Sequence, residues 1–285
     1  MTTALPRLYR VLVRMLFVIV LLIAAFAAMV LFAQDSLIYH PRRYADGFES
    51  MLPPGTSRLE YTTDAGKQLA FYLPPRSGAA VPRRVWVAFS GNASVALDWL
   101  DLAESYPGDA DAFLLVDYPG YGRSEGRASI SRTRALADRA VQLIGERLNI
   151  TEADLSSRLS VLGLSLGSAA ALEFAAGHPI ERAVLIAPFT TMREEAATLF
   201  GRPISYLLRE NYDNPSRLAE LAKRTPPPRV GIFHGTADTL IPVRMGRELA
   251  ESAPAIAEFF PIEGAPHDTI FGSVVDDITV WMTRN

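Results

Sequence analysis

The residue best placed to do chemistry is Ser165. It stands in Gly163-Leu164-Ser165-Leu166-Gly167, at the end of the apolar run Leu159–Leu164 and directly before a helix-prone stretch at 168–176. A strand, a tight turn and a helix around G-x-S-x-G make a nucleophile elbow, which pushes the serine hydroxyl out of the sheet. The turn is so tight that the positions two before and two after the serine must lack bulk, and Gly163 and Gly167 meet that need. A serine hydroxyl becomes a nucleophile only beside a base, and the base needs an acid to orient it. The chemistry implied is acyl transfer through a covalent acyl-serine.

The base must come from four histidines, His40, His178, His234 and His267. With this elbow the partners follow in the order Ser, then Asp or Glu, then His. The apolar run at 230–233 leads into His234-Gly235-Thr236-Ala237-Asp238, and the run at 257–260 leads into Pro261-Ile262-Glu263-Gly264-Ala265-Pro266-His267. In a parallel sheet both loops share the carboxyl-end rim with the serine turn. Ser165, Asp238 and His267 are therefore expected to converge. His234, before a glycine at a strand end, is expected to hydrogen-bond within its own loop. His178 falls in Gly177-His178-Pro179, a connector at the opposite edge, and His40 lies just past the apolar N-terminal run. For the oxyanion of a tetrahedral intermediate the expected donors are two backbone amides, those of Leu166 and Asn92. Asn92 belongs to Ser90-Gly91-Asn92-Ala93-Ser94, where Gly91 permits the turn that aims an amide inward.

Other patterns exclude more than they add. The segment Gly120-Tyr121-Gly122-Arg123-Ser124-Glu125-Gly126 looks superficially like a phosphate-binding loop. Neither a helix at Rossmann spacing nor a Lys-Ser/Thr pair follows it, so no nucleotide is expected. Glu173 and Asp268 lack the spacing of a metal cluster, so no metal and no cofactor is expected. The absence of cysteine excludes disulfides, thiolate zinc sites and cysteine nucleophiles. A net charge of −3 offers no basic face for phosphates, so no nucleic-acid partner is expected.

The elements that must position these residues alternate along the chain. Residues 58–63 and 68–73 alternate apolar and polar around Asp64-Ala65-Gly66-Lys67, an antiparallel hairpin pattern. Short apolar runs follow at Val85–Phe89, Ala112–Val116, Leu159–Leu164, 183–186, 230–233 and 257–260, the kind buried on both faces of a parallel sheet. Helical period fills the intervals, as at 133–148, where Leu136, Ala137, Ala140, Leu143 and Ile144 share a stripe. The fold class is α/β, with a mostly parallel sheet of about eight strands and helices on both faces. Of 285 residues, 49% are apolar, ample for one core over residues 56–285.

Residues 15–33 carry no charge and are rich in Leu, Val, Ile, Phe and Ala. As a helix they would span roughly 28 Å, close to a bilayer's hydrocarbon core. Arg7, Arg10 and Arg14 precede them, so residues 1–14 read as a short basic cytoplasmic tail and the rest of the chain as exported. A cleaved signal peptide is the competing reading, with small residues at Ala25-Phe26-Ala27 and Leu31-Phe32-Ala33. The run is longer than the usual signal core, which favours a retained single-pass anchor. Residues 34–55, with Pro41, Gly47, Pro53, Pro54 and Gly55, read as a connector.

With these residues in view, the chain resembles the membrane-anchored serine hydrolases of the α/β-hydrolase superfamily, a group that includes protein depalmitoylases and lysophospholipid lipases. The resemblance rests on Leu37-Ile38-Tyr39-His40-Pro41, Gly91-Asn92-Ala93 and Asp117-Tyr118-Pro119-Gly120-Tyr121-Gly122. It continues through the Ser165 elbow, Ala187-Pro188-Phe189-Thr190, His234-Gly235-Thr236-Ala237-Asp238 and His267-Asp268, nearly the whole chain. It implies that Ser165 is the nucleophile, His267 the general base and then acid, and Asp238 its orienting partner. It also implies an acyl-ester or thioester substrate, with lipids and acylated proteins as the candidate classes. The chain departs from the family at Ser90, where a histidine is usual, and at Ser94, where a glycine is usual. If the loop needs that glycine's freedom, the Asn92 amide would be displaced. About 40 residues between Ala187-Pro188 and Val230 imply a small cap, whose Leu199, Phe200, Ile204, Tyr206, Leu207 and Leu208 would line an acyl pocket or pack against the sheet. Two other functions use the same fold: a tethered interaction protein without catalysis, and an acyltransferase that delivers the acyl group to an alcohol or amine.

Overall fold

The computed structural model describes residues 4–284. Helix α1 (Ala4–Ile38) comes first, followed by the hairpin β1 (Ser57–Thr63) and β2 (Gly66–Leu73). The alternating part runs β3 (Val85–Phe89), α2 (Leu100–Ser105), β4 (Ala112–Val116), α3 (Ile130–Leu148), α4 (Glu152–Ser156), β5 (Leu159–Leu164), α5 (Leu166–Gly177) and β6 (Arg182–Ile186). Three short helices, α6 (Met192–Phe200), α7 (Arg202–Ser205) and α8 (Asn214–Leu221), precede β7 (Arg229–Gly235), α9 (Val243–Ser252), β8 (Ala257–Ile262) and α10 (Ile270–Thr283).

The eight strands form one sheet in the order β1-β2-β4-β3-β5-β6-β7-β8, parallel throughout except at β1 and β2. Every residue of β3, β4 and β6 is buried, because helices cover both faces. One face packs Val87, Leu114 and Val161 against Leu136, Ala140 and Ile144 of α3, the alanine-rich α5 and Met245 and Leu249 of α9. The other packs Trp86, Leu115 and Val184 against Trp99 and Leu102 and against Ile278 and Trp281 of α10. Each such large apolar side chain withdrawn from water contributes about 1.5–3 kcal/mol. Leu143, on the stripe read for α3, is only half-buried.

The sheet's rims do different work. At the amino-end rim, Arg84 bridges Asp111 (3.3 Å) and Glu181 (2.6 Å), tying β3, β4 and β6 together. The carboxyl-end rim is left for loops.

Helix α1 is longer than the apolar run suggested. It holds 35 residues, about 52 Å of helix, and residues 34–38 of the expected connector continue it. The stretch Arg7–Phe32 is long and apolar enough to cross a membrane, with a mean hydropathy of 3.1 and only 6% of its most apolar window buried. That exposure separates it from the core helix of a soluble domain, which would hide such a surface. Its last turns nonetheless dock onto the domain. Val30 and Gln34 are buried, and Gln34 Oε1 accepts the Arg209 amide at 2.8 Å. Beyond the helix, Tyr44 and Phe48 bury their rings against Phe71, so this connector is a packed part of the domain.

Candidate active site

Three loops at neighbouring strand ends build the site. Ser165 follows β5 with φ 53° and ψ −117°, a conformation costing a non-glycine residue on the order of 1–3 kcal/mol. The elbow is held from below. The Ser165 amide donates to the Ile186 carbonyl at 2.7 Å, and the buried Ser168 hydroxyl bridges the Gly163 and Ile186 carbonyls. A Cβ at residue 163 would lie 2.3 Å from the Gly167 carbonyl oxygen, and one at 167 would lie 2.0 Å from that of Phe89. Both glycines are therefore fixed by close backbone approach.

The loops after β7 and β8 are laced together. Thr236 N donates to Ile262 O at 2.9 Å, Ala237 N to Ala265 O at 3.2 Å, and Gly264 N to Thr236 Oγ1 at 2.9 Å. This brings His267 Nδ1 to 2.6 Å from Asp238 Oδ2. Asp238 Oδ1 accepts the amides of Leu240 (2.9 Å) and Ile241 (2.8 Å). Burial alone would push this carboxyl up, but hydrogen bonds from His234 and His267 outweigh it and hold Asp238 well below the usual carboxylate range. An ionised Asp238 fixes the proton of neutral His267 on Nδ1 and leaves Nε2 as an acceptor. The Ser165 hydroxyl has no hydrogen-bond partner among the described residues, so no hydrogen bond joins it to the imidazole. Catalytic hydrogen bonds commonly close only around substrate.

The expected oxyanion donors sit as follows. Leu166 opens α5, where the first helical amides have no intrahelical acceptor. The Asn92 amide has no acceptor among the described residues. The turn expected at Gly91 is made instead at Ala93, which adopts φ 57°, while Ser94 keeps an ordinary negative φ. The serine at 94 therefore costs the loop nothing. Ser90 Oγ donates to Val95 O at 2.9 Å, a local bond that closes the loop where a histidine is usual.

Sequence reasoning missed what pins this loop. The segment after β4 reaches it three times: Asp117 Oδ1 accepts Ala96 N at 2.8 Å, Tyr118 donates to Ser90 O, and Tyr121 donates to Asn92 Oδ1 at 2.8 Å. Gly122 closes that segment at φ 54°, where a Cβ would strike Asp117 Oδ2 at 2.3 Å, so its glycines serve packing. The other histidines have partners of their own. His178 meets Asp138 at 2.8 Å and stacks on Phe174; His234 Nε2 meets Ile241 O at 2.9 Å. Glu173 pairs with Arg217 at 2.9 Å. A further acid, Glu195 on α6, was not anticipated. It is buried, its Oε2 has no partner among the described residues, and burial and the nearby Asp238 push it up to about 7. An open cleft of about 650 Å³ reaches Ala93 from the α1 side, along Asp35, Tyr39, His40 and Arg127; Ser165 and His267 are not among its walls.

Sheet order, elbow and rim loops together define an α/β hydrolase. The model of the alpha/beta hydrolase family matches residues 77–281, and the chain belongs to that family. An uncharacterized protein of Mycobacterium tuberculosis is 28% identical over 253 residues, covering 88% of this chain and 86% of its own. Alpha/beta hydrolase domain-containing protein 17B of Xenopus tropicalis is 26% identical over 170 residues, 59% of this chain and 55% of its own. Among solved structures, a Pyrococcus furiosus esterase aligns with a TM-score of 0.63 at 15% identity, over 86% of this chain and 95% of its own. A thermophilic esterase from Thermogutta terrifontis aligns at 0.60 and 18%, over 80% and 90%. At these identities the structural matches speak for the fold.

Proposed function

We propose that the protein is a membrane-anchored serine hydrolase that cleaves an ester or thioester through an acyl-enzyme on Ser165. The observation that carries this reading is the 2.6 Å contact between His267 Nδ1 and an ionised Asp238, on the rim where the strained elbow presents Ser165. His267 Nε2 takes the hydroxyl proton as Oγ attacks the acyl carbon. The amides of Leu166 and Asn92 hold the oxygen that becomes negative, and Asp238 steadies the imidazolium. His267 then gives its proton to the leaving alkoxide or thiolate. Water repeats the sequence from the other side and frees Ser165. No step calls for a metal or cofactor.

Helix α1 is the anchor in this account, with the basic residues 7–14 cytoplasmic and the domain on the exported side. Support for retention comes from Val30 and Gln34, which would be cut away or exposed by cleavage after Ala27 or Ala33. The esterase neighbours favour acyl esters as substrates, and an anchored site favours lipids or acylated proteins as their carriers. The test is turnover of p-nitrophenyl esters from acetate to laurate by the full chain in detergent. Wild type should hydrolyse at least part of the series, and Ser165→Ala none of it. Turnover that survives in Ser165→Ala, or an inert folded wild type, contradicts the assignment.

A further inference from the structure

The side chain of Asn92 is saturated. Its Oδ1 accepts His40 N at 2.8 Å, Tyr121 Oη at 2.8 Å and Ala93 N at 3.1 Å. Its Nδ2 lies 2.6 Å from Ile38 O and 3.0 Å from His40 Nδ1. Two backbone partners of opposite kind, an amide and a carbonyl, fix which end of the amide is which. With Nδ2 as donor to Ile38 O, its second hydrogen faces His40 Nδ1.

Two of these partners belong to the end of α1. Ile38 is its last residue, and its carbonyl is one of the four that a helix leaves without an internal donor. Asn92, 54 positions further on, caps it. The same turn is braced on its other side, where Gln34 takes the Arg209 amide and Tyr39 Oη meets Glu210 at 3.1 Å. The helix end is thus held between the Asn92 loop on one side and the Arg209–Glu210 segment on the other. Tyr121, itself buried, closes the clamp from the segment after β4.

We propose that the α1–domain junction is a positioning part of the active site: Ile38, His40 and Tyr121 lock the Asn92 side chain, and through it aim the Asn92 amide at the oxyanion. This rests on the serine-hydrolase reading above. A backbone donor works only if it is already aimed when charge develops, and Ala93 beside it holds a left-handed conformation that nothing but its surroundings maintains. The anchor therefore does more than locate the enzyme. Whatever displaces the end of α1 from the domain also loosens the oxyanion loop.

The experiment uses the full-length chain in detergent micelles, a water-soluble short-chain p-nitrophenyl ester and a trifluoromethyl ketone, whose adduct with Ser165 carries the oxyanion. Asn92→Ala keeps the backbone amide and removes every clamp contact; Tyr121→Phe removes one oxygen. Insertion of two glycines after Ile38 keeps all side chains and the anchor but unhooks the helix end. Expected are kcat losses of about 10- to 100-fold for Asn92→Ala and the insertion, and about 3- to 10-fold for Tyr121→Phe, with KM within about threefold. Ketone affinity should fall in proportion to kcat. A general packing defect would lower Tm without that proportion. Wild-type kcat and ketone affinity in Tyr121→Phe and the insertion, each folded by thermal melt, overturn the clamp while the hydrolase reading stands. A wild type that neither turns over ester nor binds the ketone overturns the reading beneath it.

Discussion

His234 Nε2 lies 3.5 Å from Asp238 Oδ2, the same oxygen that His267 Nδ1 meets at 2.6 Å. The buried His234 thus touches the Asp238 carboxylate while it meets Ile241 O, and in the proposed mechanism it would steady the acid that orients His267. His234→Ala should lower kcat about tenfold without abolishing it, and should cost about 2–3 kcal/mol of stability by emptying a buried site. Ester kinetics beside a urea melt check this. A variant as inert as Ser165→Ala would move His234 into the reaction itself.

Asp238→Asn should cost far more activity, about 10³- to 10⁴-fold, because an amide cannot hold the Nδ1–H tautomer. The sign of its stability effect also follows. A carboxyl held below its ordinary value contributes stability that is present above about pH 4 and is lost as the pH falls through its folded value. Wild type should therefore exceed Asp238→Asn in Tm at pH 7, and the gap should narrow towards pH 3. A gap constant across that range would mean the residue is not ionised in the fold.

Glu195 runs the other way. Its folded value of about 7 lies above the ordinary 4.5, so its protonated form is the one the fold favours. Its contribution is complete below pH 4.5 and lost as pH rises through about 7. Glu195→Gln should match wild type in Tm at pH 4.5 and exceed it by a few degrees at pH 8. Melts at both pH values decide it; equal Tm at pH 8 would show that the carboxylate finds a partner.

Gly163→Ala and Gly167→Ala should each destabilise by several kcal/mol, since the added methyl meets backbone oxygen at 2.3 and 2.0 Å. Expression of either variant with wild-type Tm and ester turnover would mean that the elbow is looser than drawn.

Much of this architecture could be read from residue types because it is local. The strands Val85–Phe89, Ala112–Val116 and Leu159–Leu164 are continuous apolar runs bounded by turns, and each forms with those ends. The elbow was legible because close approach admits only glycine at 163 and 167. Helix α1 outruns the apolar run at both ends: Arg7, Arg10 and Arg14 interrupt the signal before it and Gln34, Asp35 and Ser36 after it, while the helical ladder continues to Ile38, whose carbonyl Asn92 caps. Tyr118, Tyr121 and Asp117 were invisible as loop-pinning groups, since the bonds that define them span 21 to 29 positions and leave no periodic trace. Glu195 was missed for a similar reason. Only the folded chain buries it beside Asp238.

The central claim is that Ser165 is an activated nucleophile, and a fluorophosphonate probe tests it most directly. The probe phosphonylates serine Oγ with loss of fluoride only where a base and an oxyanion hole assist. Applied to the full-length chain in detergent, it should label wild type on the peptide that bears Ser165 and leave Ser165→Ala and His267→Ala unlabelled. A folded wild type that takes no label, or equal labelling of Ser165→Ala, would contradict the account.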